Sequence, residues 1–328
     1  MIIHSALYGS FEVEPVLRDL INCEAVQRLK KVHQGGACYL VNDAWNVTRY
    51  EHSLGVMLLL RRAGACLEEQ MAGLLHDISH TAFSHVIDDV MARPQEDYHE
   101  EQMMATLLRS DIPEILARHG YDLNVLETEQ WSLLERPLPD LCADRIDYTL
   151  RDLQRSGVIT LSEVHAFLEA LKVHEGIFYI DCIEQAMWFV DAYYKEVIDY
   201  FLHPLNVYSN AALAAILKRA LREGSLQEQD FMTHDAHVIN TLLQEASPGV
   251  KEAMKMLMKQ RPHISVVSEQ AQYDYFRRSK LRLMDPYILV NQELQRASSQ
   301  STEIANMYEK AKKKSLAGVY VKLLENLK

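Results

Sequence analysis

Arg49-Tyr50-Glu51-His52-Ser53-Leu54-Gly55-Val56, followed after an apolar run by Ala72-Gly73-Leu74-Leu75-His76-Asp77, decides the fold of this chain. One apolar run, Val56 to Leu60, follows His52; a second, Met71 to Leu75, precedes His76. Gly64 to Glu68 reads as the break between two helices. Both helices rise about 1.5 Å per residue. Joined antiparallel at the break, they set the start of the first beside the end of the second. His52 and the His76-Asp77 pair then meet at one end of a helical hairpin. Two imidazoles and a carboxylate converging on one point suit a divalent transition metal.

Upstream of the hairpin, Ala25, Val26, Leu29 and Val32 have helical spacing between Asn22 and His33. Gln34-Gly35-Gly36 stops that helix. Cys38 to Val41 is a short extended candidate, and residues 1–20 suggest a small strand pair or an arm. Downstream, His80, His85, Asp88 and Asp89 lie just beyond the metal end, and Tyr98-His99-Glu100-Glu101 opens a helix through Leu108. Pro113, Gly120, Pro137 and Pro139 break 110–140 into short helices and loops. In the helix that follows, Asp144, Tyr148, Arg151 and Asp152 share one face, while Ile146, Leu150 and Leu153 turn toward a core. That polar face is either a solvated surface or the wall of a site. Asp144 adds a fourth candidate ligand to the two histidines and Asp77.

Leu171 to Ile180 reads as a β-hairpin turning at Glu175-Gly176. Long helices follow, from about Cys182 to Leu202 and from Ala211 to Arg222. Beyond about residue 225 the character changes, with an extended segment at His263–Ser268, an apolar one at Leu283–Val290 and a Lys-rich end. The expected fold is mostly α, with a helical core over 1–224, a small β-hairpin within it and a mixed accessory region over 225–328. Tyr193, Tyr194 and Tyr200 read as helix packing and surface.

The 328 residues carry a net charge of −12, and no basic block stands out before the Lys-rich end. That disfavours a nucleic-acid partner, which needs phosphate-neutralising charge. Five scattered cysteines without a CxxC suit reduced thiols and a cytoplasmic setting. No signal peptide and no apolar run long enough to span a membrane are apparent.

Taken together, Arg49-x-x-His52, His76-Asp77-x-x-His80-x-x-x-x-His85, His99-Glu100 and Asp144-Arg145-x-Asp147-Tyr148-x-x-Arg151-Asp152 resemble the HD-domain phosphohydrolases. The pattern is most similar to the branch of SAM-and-HD-domain dNTP triphosphohydrolases and their bacterial relatives. Gln27-Arg28-Leu29, Gln34-x-Gly36 and Asp230–Asp235 fit the same branch, so the likeness covers roughly residues 20–240; no SAM domain precedes the core. The resemblance implies His52, His76, Asp77 and Asp144 as metal ligands, and His80, His85, Asp88 and His99 as catalytic residues. It implies Gln34, Arg49, Arg145, Tyr148 and Asp152 as contacts for phosphate and sugar. It also implies homo-oligomers.

The chemistry of these residues agrees. A divalent transition metal (Mn, Fe, Ni, Co or Zn, with or without Mg) supplies hydroxide to attack phosphorus near neutral pH. Arg49 and Arg145 neutralise phosphate oxygens, and one of His80, His85 or His99 protonates the leaving group. In the branch, a helix after the hairpin carries an Arg for the distal phosphates. An ungapped placement puts Asp191, Lys195 and Asp199 there. Asp191 would repel a polyphosphate, and Lys195 is the candidate that compensates. The expected function is a metal-dependent phosphohydrolase acting on a nucleotide, with dNTP triphosphohydrolysis its sharpest form. The alternatives are a nucleotide phosphomonoesterase and a non-catalytic nucleotide sensor or scaffold.

Overall fold

The computed structural model describes residues 1–324 apart from 128–129, 260–261 and 279. Strands β1 (Ile2–Ser5) and β2 (Gly9–Glu12) form an antiparallel pair. Helices α1 (Pro15–Asn22) and α2 (Glu24–Arg28) follow. The single helix expected over 22–33 is thus split: Cys23 takes an extended φ/ψ between α1 and α2, and Leu29–Lys31 tightens into a 3₁₀ turn. Cys38–Leu40, expected to be extended, is another 3₁₀ turn, its buried Cys38 facing Tyr200.

The helical hairpin forms as α3 (Arg49–Arg62) and α4 (Leu67–Leu75). Thr48 caps α3 in a reciprocal capping box with Glu51, and Arg61 and Arg62 sit in its last turn, where the helix dipole favours cations. Gly73 lets α4 close on α3: a Cβ there would collide with Leu60. Short helices α5 (Val86–Val90), α6 (Tyr98–Leu108) and α7 (Ile112–Arg118) lead to α8 (Ala143–Arg155), which packs across α3. Gly55 makes that crossing possible, because a Cβ at its position would overlap the Asp147 carboxylate and the Arg151 guanidinium on α8.

Helix α9 (Leu161–Ala170) precedes the hairpin β3 (Leu171–His174) and β4 (Ile177–Ile180). Helix α10 (Ile183–Tyr194) runs into a π-helical turn, Lys195–Tyr200, before α11 (Pro204–Glu223). Helices α12 (Asp235–Glu245) and α13 (Pro248–Lys259) pack on each other, and α13 also packs on α11.

Strands β5 (Ile264–Val267), β6 (Tyr275–Arg277), β7 (Tyr287–Val290) and β8 (Glu293–Arg296) come next. Helices α14 (Ala297–Gln300) and α15 (Thr302–Ala317) and strand β9 (Val319–Leu323) complete the order. β7 pairs parallel with β4 and antiparallel with β8, so strands beyond residue 224 extend the hairpin into a four-stranded sheet. A second sheet, ordered β5-β9-β6, lies against α11.

Buried apolar side chains form two clusters, one centred on α3, α4, α8 and α10, the other on α5, α11, α12 and α13. A cavity of about 1160 Å³ takes its walls from both. No helix among the described residues is long and apolar enough to cross a membrane.

Candidate metal centre and its cavity

The start of α3, the end of α4 and the start of α8 meet at the cavity floor, where His52, His76 and Asp144 bring their ligand atoms within 4.8 Å of one another. His52 Nε2 lies 3.0 Å from Asp144 Oδ1 and 3.7 Å from Asp77 Oδ2, and His76 Nε2 lies 3.6 Å from Asp77 Oδ1. Ligands about 2.1 Å from a common ion stand roughly 3.0–3.5 Å apart, so His52, His76 and Asp144 can converge on one ion, with Asp77 beside them and its Oδ2 shared with Arg49. Their other atoms are already committed. His52 Nδ1 lies 2.9 Å from Asp147 Oδ2, and His76 Nδ1 lies 2.8 Å from the Gly73 carbonyl, so each Nδ1–H donates and each Nε2 is turned toward the carboxylates. His76 Nε2 is buried with no hydrogen-bond partner. A buried imidazole lone pair without a donor, aimed at two carboxylates, is what a cation would satisfy.

The same carboxylates favour positive charge at the imidazoles. Burial opposes a proton on His52, but hydrogen bonds to Asp144 and Asp147 outweigh it and raise its pKa to about 10. Burial likewise opposes charge on Asp77; Arg49, His76 and His80 overcome it and hold the carboxyl well below its usual range. Asp147, fully buried, accepts from Tyr8 Oη (2.7 Å) and from Arg151 (2.7 and 2.9 Å) besides His52. It fixes His52 from behind. The sequence motif contains it, but only the i, i+3 repeat Asp144/Asp147 hinted that a second carboxylate would serve the first shell.

Arg49, buried, donates to Asp77 Oδ2 (2.6 Å) and to Ser84 Oγ (3.0 Å). Phe83 and Ser84 adopt φ of 60° and 48°, a left-handed turn costly for non-glycine residues. Asp235 pins it: Oδ1 accepts the Phe83 N–H (2.8 Å) and Oδ2 the His33 N–H (3.0 Å). Beside the floor, His80 and His99 stack at 3.9 Å, with His85 5.1 and 5.4 Å from them. Burial and the Arg49 charge push His80 well down, and burial and His85 lower His99 to about 4. His85 Nδ1 pairs with Asp88 (2.9 Å), whose other oxygen accepts the Tyr98 N–H (3.0 Å).

Of the residues expected as metal ligands, catalytic groups or substrate contacts, all but Asp88 and Lys195 line this one cavity. Asp88 stands behind His85. Lys195 turns outward, half-exposed, and pairs with Asp191 on the helix surface at 2.7 Å. Lys195 follows Asp191 by one α-helical turn at the end of α10, so the two side chains share the same outward face. Tyr193 and Tyr200, expected to be packing and surface, line the cavity with Tyr148 and Phe201. The absence of a basic block before the tail also fails as an expectation: Arg277, Lys280 and Arg282, from the run Arg277-Arg278-Ser279-Lys280-Leu281-Arg282, reach the rim. A hydropathy reading treats that run as solvated loop.

The HD-domain pattern matches residues 49–152. Over 306 residues the chain is 33% identical to the metal-dependent phosphohydrolase cns2 of Cordyceps militaris, spanning 90% of this chain and 87% of that one. It is 47% identical over 327 residues to the protein YdhJ of Bacillus subtilis, covering 99% and 100%. A more distant likeness, 26% over 227 residues, covers 53% of this chain and 36% of the deoxynucleoside triphosphate triphosphohydrolase SAMHD1 of Danio rerio. The chain belongs to the HD-domain metal-dependent phosphohydrolases.

Proposed function

We propose that this protein hydrolyses a phosphate ester of a nucleotide, with His52, His76, Asp77 and Asp144 holding a divalent transition metal. The observation that carries this is the unpartnered His76 Nε2, facing two carboxylates on the floor of a cavity of about 1160 Å³. An ion bound there lowers the pKa of coordinated water and offsets phosphate charge. The chain's own residues do the rest. Arg49, anchored through Nη1 and Nε, keeps donor capacity for a phosphate oxygen beside Asp77. Arg145, tethered to Glu135 (3.1 Å) and to the Cys142 sulfur (3.0 Å), offers a second cation in the cavity wall.

His85 is the proton donor to the leaving group. Its Nδ1 is committed to Asp88, which leaves Nε2 to act, and it stands edge-on to the stacked His80–His99 pair with its side chain 39% exposed.

Two features favour a nucleoside as the leaving group. Tyr148, Tyr193, Tyr200 and Phe201 give the cavity an aromatic wall. Gln34 Oε1, buried and without a partner, lines the cavity as an acceptor for a sugar hydroxyl. The likeness to SAMHD1 makes dNTPs the first substrates to try. The outward turn of Lys195 favours testing nucleoside monophosphates beside them.

In this reading residues 1–224 carry the chemistry and 225–328 close the cavity, in a cytoplasmic homo-oligomer that light scattering would reveal. Metal-loaded protein is incubated with dNTPs, NTPs, nucleoside monophosphates and cyclic dinucleotides, and phosphate, pyrophosphate and tripolyphosphate are resolved. Turnover of at least one nucleotide is expected. No turnover with Mn, Fe, Co, Ni, Zn or Mg would leave the protein a nucleotide sensor or scaffold.

A further inference from the structure

Within the nucleotide reading, the helix expected to hold distal phosphates offers no cation, because Lys195 points away and is neutralised by Asp191. Cations enter the cavity from elsewhere. The segment containing β6 runs along its rim, and Arg277, Lys280 and Arg282 all line it. All three converge on one side chain, Glu96: Arg277 Nη2 at 3.1 Å, Arg282 Nη2 at 3.0 Å and Lys280 Nζ at 3.5 Å. Arg277 also grips Asp89 with Nη1, 2.8 and 2.9 Å from the two oxygens.

Glu96 is held for this contact. Its backbone takes φ 55°, in the left-handed region, and its side chain is only 14% exposed. Burial opposes its charge, but His85, Arg282, Lys280 and Arg277 outweigh that and lower its pKa to about 2. Across the cavity, the Arg282 guanidinium lies over the Phe201 ring, 5.6 Å from its centroid. One cation therefore bridges the aromatic wall and the loop beside His85. Three cations face two carboxylates here, an excess of positive charge in a chain of net −12.

We propose that Arg277, Lys280 and Arg282 form a subsite for a second phosphate of the substrate, distinct from the phosphate attacked at the metal centre, and that Glu96 is the internal anion this phosphate displaces. A phosphate offers the guanidinium groups the same paired-oxygen geometry as a carboxylate, with more charge. The ligand class is thus a nucleotide bearing more than one phosphate. The proposal differs in sign from a purely structural latch. A latch is weakened by losing either partner; a displaced anion competes with the ligand.

The test is calorimetric titration of the purified protein with inorganic tripolyphosphate and with orthophosphate, with metal content assayed before and after. Arg282→Gln and the milder Lys280→Gln, at a half-exposed side chain, are each expected to weaken tripolyphosphate about tenfold. That corresponds to about 1.4 kcal/mol. Orthophosphate binding should stay within about twofold, and Glu96→Gln should tighten tripolyphosphate several-fold. Melting curves establish that each variant is folded. Unchanged tripolyphosphate affinity in both cation variants overturns the subsite, as does weakening by Glu96→Gln. If the binding pattern appears but no nucleotide is turned over, the subsite stands and the catalytic reading falls. If nucleotides are turned over but the variants slow mono- and polyphosphates equally, the catalytic reading stands and the subsite falls.

Discussion

At the floor of the cavity, His52 and Asp144 lie 92 residues apart in sequence, and the His52 and His76 imidazoles are each fixed by a hydrogen bond at Nδ1. At the rim, Arg277 and Arg282 meet carboxylates 188 and 186 residues away through partly exposed ion pairs, with Arg282 steadied by the Phe201 ring beneath it. The floor is built from helix ends packed so closely that Gly55 and Gly73 are required. The rim is a loop and an edge strand. The floor is therefore expected to tolerate almost nothing, and the rim to tolerate charge changes that alter what is bound.

The sharpest break of this comparison removes one floor ligand. His76→Ala should abolish stoichiometric divalent metal and cut phosphate release by about a thousandfold or more. Arg282→Gln should leave metal content unchanged. Metal analysis of the two variants side by side checks both; equal metal loss would mean that floor and rim are one unit. Next in size is Gly55→Ala. The added methyl must push into the Asp147–Arg151 pair that holds His52, so overpacking should cost about 1–3 kcal/mol in urea unfolding, with metal content falling too. Full stability and full metal content would show that α8 can retreat from α3 without consequence.

How much of this was legible in the sequence follows the same division. The hairpin and the convergence of His52, His76 and Asp77 could be read from helix periodicity, because contacts between neighbouring helices are set by spacing along them. Asp144 joined the set on residue type and helix face. The hairpin at Glu175–Gly176 and the strand at 264–267 were equally readable. The π-turn at 195–200 was not. It conserves helical hydropathy while changing the residues per turn, so Tyr200 was expected outside the cavity; Lys195 was placed inside by the family resemblance alone, and its pairing with Asp191 one turn back turns it out. The rim was hidden for another reason. Nothing local in Arg277–Arg282 says that β6 lies beside β9 and along α11, which is a property of the completed sheet.

Asp235 connects the two regimes, since it comes late in the chain yet secures the strained Phe83–Ser84 turn that supports Arg49. Asp235→Ala removes the acceptor for two backbone N–H groups. With metal retained, kcat should fall about tenfold as Arg49 loses its support through Ser84. A variant with wild-type kcat would place the turn under the control of local sequence alone.

The smallest expected effect concerns the rim in isolation. Glu96 has a pKa lowered to about 2 from an ordinary value near 4.5, with its neighbouring cations and His85 overcoming the cost of burial. A group whose pKa is depressed on folding binds protons more weakly in the folded state than in the unfolded one. Its contribution to stability is therefore complete above about pH 4.5 and is lost as pH falls toward 2. Glu96→Gln has no such group. The melting temperatures of wild type and Glu96→Gln should differ by about 2 °C at pH 6–8. The gap should begin to narrow only below about pH 4.5. Saturating tripolyphosphate should also narrow it at neutral pH, because the anion takes over the cations that Glu96 otherwise neutralises. A gap that is independent of pH down to 3 would mean that the ion pairs at the rim contribute no net stability and leave the loop in place by packing alone.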